Sequence, residues 1–499
     1  MSLKVKTVRN SMLVGITTLS LRGISMVSTV FLARMLEPTD FGIVAMALVL
    51  LSTSNLFSGL GMRQALVQTR IEKDTAAYHA ILVTFSAGLA LSIVVFTNAD
   101  VLARLLGSEH SAPILSVMSI IILFQSISLV PEALLQKELQ FARLSSSMFF
   151  PELLYLGTSL SLAINGFGVW SLAYAAMARS FSRMVLLFAI SEDLHWLRPR
   201  PVDSGVIRSL LRFGIQSTGS GFISFLNAVM DNLFVGKAFG VLALGYYSKA
   251  HDFSTNTVEG FNRVLGSVLF PSYSKIQEDR QRLSSAYARS LRLVSLAILP
   301  ISTGMMVLAP EFIGILLGQK WLPMVLSLQI LSMMCMIRAI SSTTSPLFLS
   351  MGHPDFDFRA GLLVTCIAVA GMFGFQSWGI EGVAFAFLVA QSVGFVYNVY
   401  QVRTLLGDTA LAMLKAIAPA AVASGIMAVV VLGSKLLMEI LPGGHANLAS
   451  LIVLTAIGVC VYAALLLIYQ RPLVKESIDL LRSASKLKSP RLEANGAAK

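Results

Sequence analysis

Phe31-Leu32-Ala33-Arg34-Met35-Leu36-Glu37-Pro38-Thr39-Asp40-Phe41-Gly42 has a second copy in outline. At an offset of 203, Phe31 meets Phe234, Arg34 meets Lys237 and Gly42 meets Gly245, and upstream Arg9 meets Arg212, without a gap. Later the offset becomes 211. There Leu105-Leu106-Gly107 meets Leu316-Leu317-Gly318, Asp100 meets Glu311, Ile114-Leu115-Ser116 meets Val325-Leu326-Ser327, and Phe167-Gly168 meets Trp378-Gly379. Single matches mean little in so biased a composition. Several blocks in order at a nearly constant offset indicate a duplicated chain.

The duplicated unit is apolar. The chain has 499 residues, 55% hydrophobic and 13% charged, with a mean hydropathy of +0.75. A soluble chain carries about 25% charged residues, so a soluble multi-domain protein is excluded. Apolar windows of the length that crosses a bilayer lie near 11–33, 41–62, 78–98, 112–135, 145–164 and 168–190. They resume near 212–235, 243–270, 287–309, 322–349, 360–376, 380–401, 411–434 and 447–469. The expected fold is an all-α polytopic membrane protein of about 14 transmembrane helices: two pseudo-symmetric six-helix lobes plus two C-terminal helices. An even-numbered repeat preserves orientation, so the lobes are related by an axis along the membrane normal, with a cavity between them. The boundaries expected are a first lobe over 1–193, a cytoplasmic linker over 194–211 and a second lobe over 212–405. Two extra helices over 406–470 and a basic tail over 471–499 follow.

The net charge of +12 raises nucleic acid or an acidic surface as a partner. Its distribution removes nucleic acid. Of 38 Lys and Arg, 27 fall in the loops and tail on the side of the termini, five (Arg34, Arg104, Lys237, Lys320, Lys435) on the opposite side, and six inside spans. This is the positive-inside bias, which expects both termini in the cytoplasm of a multi-pass membrane protein. The segment from Met1 reads as a first span and not as a removed signal peptide. Cys335, Cys366 and Cys460 stand singly and read as inert packing residues.

Ionisable residues inside hydrocarbon are costly, roughly 2.5–3.5 kcal/mol each on insertion scales, and default to functional roles. Arg22 lies too deep to reach the outer interface easily; packing against a carbonyl or another span is its plain alternative. Lys249, Asp252, Asn256, Glu259 and Arg263 are spaced 3, 4, 3 and 4, which puts all five on one helical face. Such a stripe lines a transport cavity or is consumed by internal salt bridges, Lys249 with Asp252 and Glu259 with Arg263. The matching positions of span two are uncharged, so the cavity is expected to be charged mainly on its second lobe. Arg338 precedes Ser341-Ser342-Thr343-Thr344-Ser345-Pro346, the pattern of a proline kink whose freed carbonyls are re-satisfied by hydroxyls. Asp231 is equally an exposed helix-end residue or an ion site. Arg183 is expected to snorkel or to meet lipid headgroups, and Arg179 is left open. Several fixed cations with fewer anions suit a cargo carrying phosphate, which Arg binds bidentately. No G-x-x-x-x-G-K-[ST] run is present, so ion gradients, membrane potential or product pull would drive transport.

The same residues resemble a family. Phe31 to Gly42 is similar to the "LAR-L-P-DFG" segment of bacterial polysaccharide transporters, and the resemblance continues through Gly59-Leu60-Gly61-Met62-Arg63-Gln64-Ala65-Leu66-Val67-Gln68. It returns at Leu244-Gly245-Tyr246-Tyr247-Ser248-Lys249-Ala250, Val268-Leu269-Phe270-Pro271 and Gly318-Gln319-Lys320-Trp321. The family is the Wzx-type (WzxC-like) oligosaccharide flippases of the multidrug/oligosaccharidyl-lipid/polysaccharide (MOP) exporter superfamily. The resemblance covers essentially the whole chain and is densest over 1–360. It implies two six-helix lobes plus two C-terminal helices, and movement of an undecaprenyl-diphosphate-linked oligosaccharide for exopolysaccharide, capsule or lipopolysaccharide synthesis. The shared motifs read as structural turns more than binding elements.

The substrate-binding residues expected are Arg22, Lys249, Arg263 and Arg338. Asp231, Asp252, Asn256 and Glu259 are candidates for ion coupling or cavity lining. No catalytic residue, metal site or cofactor is expected. The partners expected are the lipid-linked oligosaccharide, membrane lipids, and polymerase and chain-length proteins of the same pathway. A drug/cation antiporter of the same superfamily is the nearest rival and would centre on an acidic pocket. A membrane glycosyltransferase or polymerase would carry clustered acid–base residues in a sizeable outer loop, and Asp100, Glu109 and Glu311 are merely scattered.

Overall fold

Apolar runs with no water to satisfy their backbone must close their hydrogen bonds internally, and here they do so as helices. The computed structural model describes residues 3–105, 107–108, 111–191, 193–407, 410–440 and 447–469. Within these, the side chains at 3–16, 18–19, 217, 219–224, 257–268, 410, 439 and 469 lie outside the described set. Glu259 and Arg263 fall there, as does the expected tail over 471–499. The first lobe comprises α1 (Leu3–Met35), α2 (Pro38–Gly59), α3 (Met62–Gln68), α4 (Lys73–Thr97), α5 (Ala99–Leu105), α6 (Ala112–Met118), α7 (Ile120–Lys137), α8 (Phe141–Ile164) and α9 (Val169–Ile190). The second comprises α10 (Ser204–Ser274), α11 (Arg280–Val307), α12 (Ala309–Phe312), α13 (Val325–Ser341), α14 (Thr344–Ser350), α15 (Pro354–Gly374) and α16 (Ile380–Leu406). The pair α17 (Ala410–Ile440) and α18 (Leu448–Tyr469) packs on α11.

Every apolar window falls on helix. Among the described residues, twelve stretches are long and apolar enough to cross a membrane. One of them, Phe225–Asn256, runs across the junction of windows seven and eight, and α1 is not among the twelve. Gly240 (φ 82°, ψ 176°) has non-helical dihedrals, so the 71 residues of α10 are two helices meeting at a kink. Helix α10 begins at Ser204, inside the stretch expected as linker. Its near end is held by Trp196, which is fully buried beside Met62, Leu66 and Leu210.

The duplication is visible in local geometry. Gly168 (φ 53°, ψ −133°) is the N-cap of α9 and Gly379 (φ 69°, ψ −142°) that of α16. Both backbones turn through a region that a Cβ disfavours, which explains why the sequence repeats Gly there. The outer faces of the helices expose large apolar residues such as Ile164, Val396 and Val429, a surface that fits lipid. The chain is a multi-pass membrane protein.

The lobes meet along α2 and α10. Taking the near side as the one where α1 begins, two backbone crossings close this seam. On the far side a Cβ on Gly42 would lie 1.7 Å from the Val241 carbonyl oxygen, and one on Gly245 would lie 1.9 Å from that of Pro38. On the near side a Cβ on Gly61 would lie 2.1 Å from the Gly214 carbonyl, and one on Gly214 would lie 2.1 Å from that of Leu60. The glycines let two main chains touch where any side chain would separate them.

Candidate functional site

Between these crossings the lobes line a cavity of about 500 Å³, within the ordinary range for ligand pockets. Its second-lobe wall is the α10 stripe. Lys249 Nζ donates to Asp252 Oδ2 at 2.6 Å and sits over the Phe41 ring, 5.2 Å from its centroid. One turn further, Arg22 of α1 donates from Nη1 to the Asn256 side-chain oxygen at 3.1 Å and also to its backbone carbonyl. Arg22, Lys249, Asp252 and Asn256 are therefore brought together across the lobe boundary, and all four line the cavity. The i,i+3 and i,i+4 register predicted from the sequence places Lys249, Asp252 and Asn256 on one face of α10.

The first lobe contributes charge as well, which corrects the expectation of a cavity charged mainly on its second lobe. The symmetry mates in α2 are indeed uncharged, but α8 and α9 supply Glu152 and Arg179, paired at 3.3 Å and both lining the cavity. Arg179 also lies over the Tyr155 ring at 4.9 Å. Among the described residues, three cations and two carboxylates line the cavity, a net positive set. A site of this kind can hold an anionic group by Arg and Lys donors while amide and hydroxyl groups take polar neighbours.

A second cavity, about 420 Å³, lies within the first lobe toward the near side and shares Glu152 and Arg179 as a wall. Here Glu132, with 4% of its side chain exposed, accepts from Arg63 at 3.2 Å and Arg183 at 3.1 Å. Arg183 therefore turns inward to a buried carboxylate and does not snorkel. Sequence reasoning missed Glu132 and Glu152. The available signal was Pro131-Glu132 and Pro151-Glu152, a carboxylate directly after a proline inside an apolar helix, twice.

Asp231 is 3% exposed, which removes the helix-end reading. It accepts from the Tyr247 hydroxyl at 3.3 Å and lies 3.8 Å from His251 Nε2, a carboxylate–phenol–imidazole group folded between the two limbs of α10. Arg338 is half-buried on α13 and lines neither cavity. The break after it is as expected: Ser342, Thr343 and Thr344 hydroxyls donate to the carbonyls of Ala339, Ile340 and Ser341. Cys335 is buried, whereas Cys366 and Cys460 are exposed on outer helix faces and do not pack inside.

The motifs read as turns do more than turn. Glu37 and Asp40 form a capping box at the start of α2, and the same segment binds the opposite lobe. Arg34 Nε donates to the Leu316 carbonyl at 2.8 Å, Lys320 Nζ to that of Leu36 at 2.6 Å, and Trp321 Nε1 to that of Ala33 at 2.9 Å. The Tyr246 hydroxyl completes the latch by donating to the Lys320 carbonyl at 3.0 Å.

Comparison with known proteins gives three results. A family model described as "Polysaccharide biosynthesis protein" matches residues 31–326. The lipopolysaccharide biosynthesis protein WzxC of Escherichia coli (strain K12) is 24% identical over 418 residues, 82% of this chain and 83% of that protein. The succinoglycan biosynthesis transport protein ExoT of Rhizobium meliloti (strain 1021) is 27% identical over 484 residues, 95% of each chain. Among solved structures, the lipid II flippase MurJ in an inward closed conformation matches with a TM-score of 0.74 at 18% identity. It covers 92% of this chain and 99% of that one, a likeness of fold.

Proposed function

Because this chain belongs to the polysaccharide biosynthesis protein family, we propose that it moves a lipid-linked oligosaccharide, carried on undecaprenyl diphosphate, from the cytoplasmic to the periplasmic leaflet of the bacterial inner membrane. The near side is then cytoplasmic, as the cation bias of its loops supports. The chain acts as a transporter with no chemical step, opening its two lobes alternately to either side.

The observation that carries this reading is the cavity between the two lobes, flanked by close backbone crossings on either side, with Arg22 and Lys249 on its wall. A diphosphate needs fixed cationic donors in a low-dielectric interior, and a bulky glycan needs a passage that opens by parting two lobes. Asp231, between Tyr247 and His251, is the residue we assign to ion coupling. Deletion of the gene tests the reading: lipid-linked repeat units should accumulate while surface or secreted polysaccharide is lost. Unchanged polysaccharide with no accumulation would reject it.

A further inference from the structure

The second cavity is not explained by a diphosphate. Its guanidinium groups are already matched to carboxylates, Arg63 and Arg183 to Glu132, and Arg179 to Glu152. A phosphate placed there would compete with two buried anions. What the cavity offers instead is neutral hydrogen-bonding capacity. Asn55 Nδ2 donates to Gln125 Oε1, and this fixes both amides. Among the described residues, that leaves the Gln125 amide nitrogen and the Asn55 amide oxygen without a protein partner, a donor and an acceptor side by side on the cavity wall. Ser128 donates back to the Phe124 carbonyl, so its oxygen is left as an acceptor. Paired donors and acceptors held rigidly are what a polyol requires.

The position fits as well. The two cavities share Glu152 and Arg179, so a ligand anchored at Arg22 and Lys249 can extend past that pair into the first lobe. We propose that this first-lobe cavity is the glycan subsite, taking sugar hydroxyls of the lipid-linked oligosaccharide at Asn55 and Gln125 while the central cavity holds the diphosphate. The assignment rests on the flippase reading and adds where the sugar lies.

Two lipids separate this from the reading it rests on. Purified full-length protein in nanodiscs is titrated with undecaprenyl diphosphate, and separately with the glycolipid fraction extracted from a deletion strain. Asn55→Ala and Gln125→Ala should each weaken the glycolipid about ten-fold, the scale of one lost buried hydrogen bond, and leave undecaprenyl diphosphate unchanged. Arg22→Ala should weaken both lipids. Equal loss for both lipids in the amide variants, or no loss for the glycolipid, overturns the subsite and leaves the flippase reading intact. If wild-type protein binds neither lipid, both fall. Oligosaccharide released from its carrier should bind far more weakly than the glycolipid. Equal binding marks a site for free sugar and also overturns the proposal. Melting curves identify a variant that fails to fold, and Gln125→Glu, which keeps size and the acceptor for Asn55 but loses the donor, then serves in its place.

Discussion

The indole N–H of Trp321 donates to the backbone carbonyl of Ala33 at 2.9 Å, from one lobe to the other. Its ring also packs edge-on against Phe41 with centroids 5.3 Å apart. Trp321→Phe keeps most of the ring and removes the bond, at a cost of about 1 kcal/mol to the far-side closure, or roughly five-fold in population. A cysteine at Ala45, which lines the central cavity, should then react faster with an impermeant maleimide added outside cells lacking the three native cysteines. Unchanged labelling would mean that this bond does not hold the seam.

The two backbone crossings predict opposite effects from similar substitutions. Gly42→Ala forces a methyl to within 1.7 Å of the Val241 carbonyl, and Gly214→Ala forces one to within 2.1 Å of the Leu60 carbonyl. Neither fits unless the main chains part. Spin labels at Thr39 and Gln319 should move apart in the first variant, and labels at Gln68 and Arg208 in the second. Both variants should export poorly, each held open on one side.

Replacement of Arg22 by alanine removes a donor from the central cavity and should cut export about ten-fold, with Lys restoring part of it because the planar fork is lost. Arg263→Ala should also lower export, whereas Arg338→Ala, at a residue that lines neither cavity, should lower it less than Arg22→Ala. Quantified surface polysaccharide at matched protein levels is the measurement. Full export in the Arg22 and Arg263 variants rejects the assignment of these residues to cargo.

Glu132→Gln leaves Arg63 and Arg183 without their counter-charge. The cost should be roughly 1–3 kcal/mol, since the amide retains an acceptor oxygen and Arg63 keeps much of its side chain in solvent. Thermal unfolding in detergent should show the loss, and Glu132→Asp should recover part of it.

Asp231→Asn keeps the Tyr247 hydrogen bond and removes the charge beside His251. In proteoliposomes, an imposed proton or sodium gradient should speed transport by the wild-type protein and leave the variant unaffected. A variant that still responds places coupling elsewhere.

The architecture was legible because its signals are periodic or repeated. Helical spacing from Lys249 to Asn256 predicted one face, and the Gly42/Gly245 match predicted equivalent turns. The contact between those glycines was not legible, since a self-alignment equates two positions without saying whether they touch. Glu132 and Glu152 escaped for a different reason. Each is a lone acid in an apolar helix, and its partners Arg183 and Arg179 lie on another helix about thirty or more residues away, beyond any local pattern. Asp231 looked like a helix-end residue because its span ends a few residues later, and the sequence does not tell that the turn at Gly240 folds Tyr247 back over it.

On the first lobe the two crossings lie along one element, but on the second they lie on two. The far crossing sets Gly42 of α2 against the limb of α10 that follows Gly240, and the near one sets Leu60 and Gly61, just past the end of α2, against the limb that precedes it. Gly42 and Gly61 are nineteen positions apart, or about 28 Å at the helical rise. Such an element works as a seesaw beam: a tilt of about ten degrees with one crossing as fulcrum lifts the other end by roughly 5 Å over that length. Each end of the beam rests on its own helix, so one support can part while the other stays in contact.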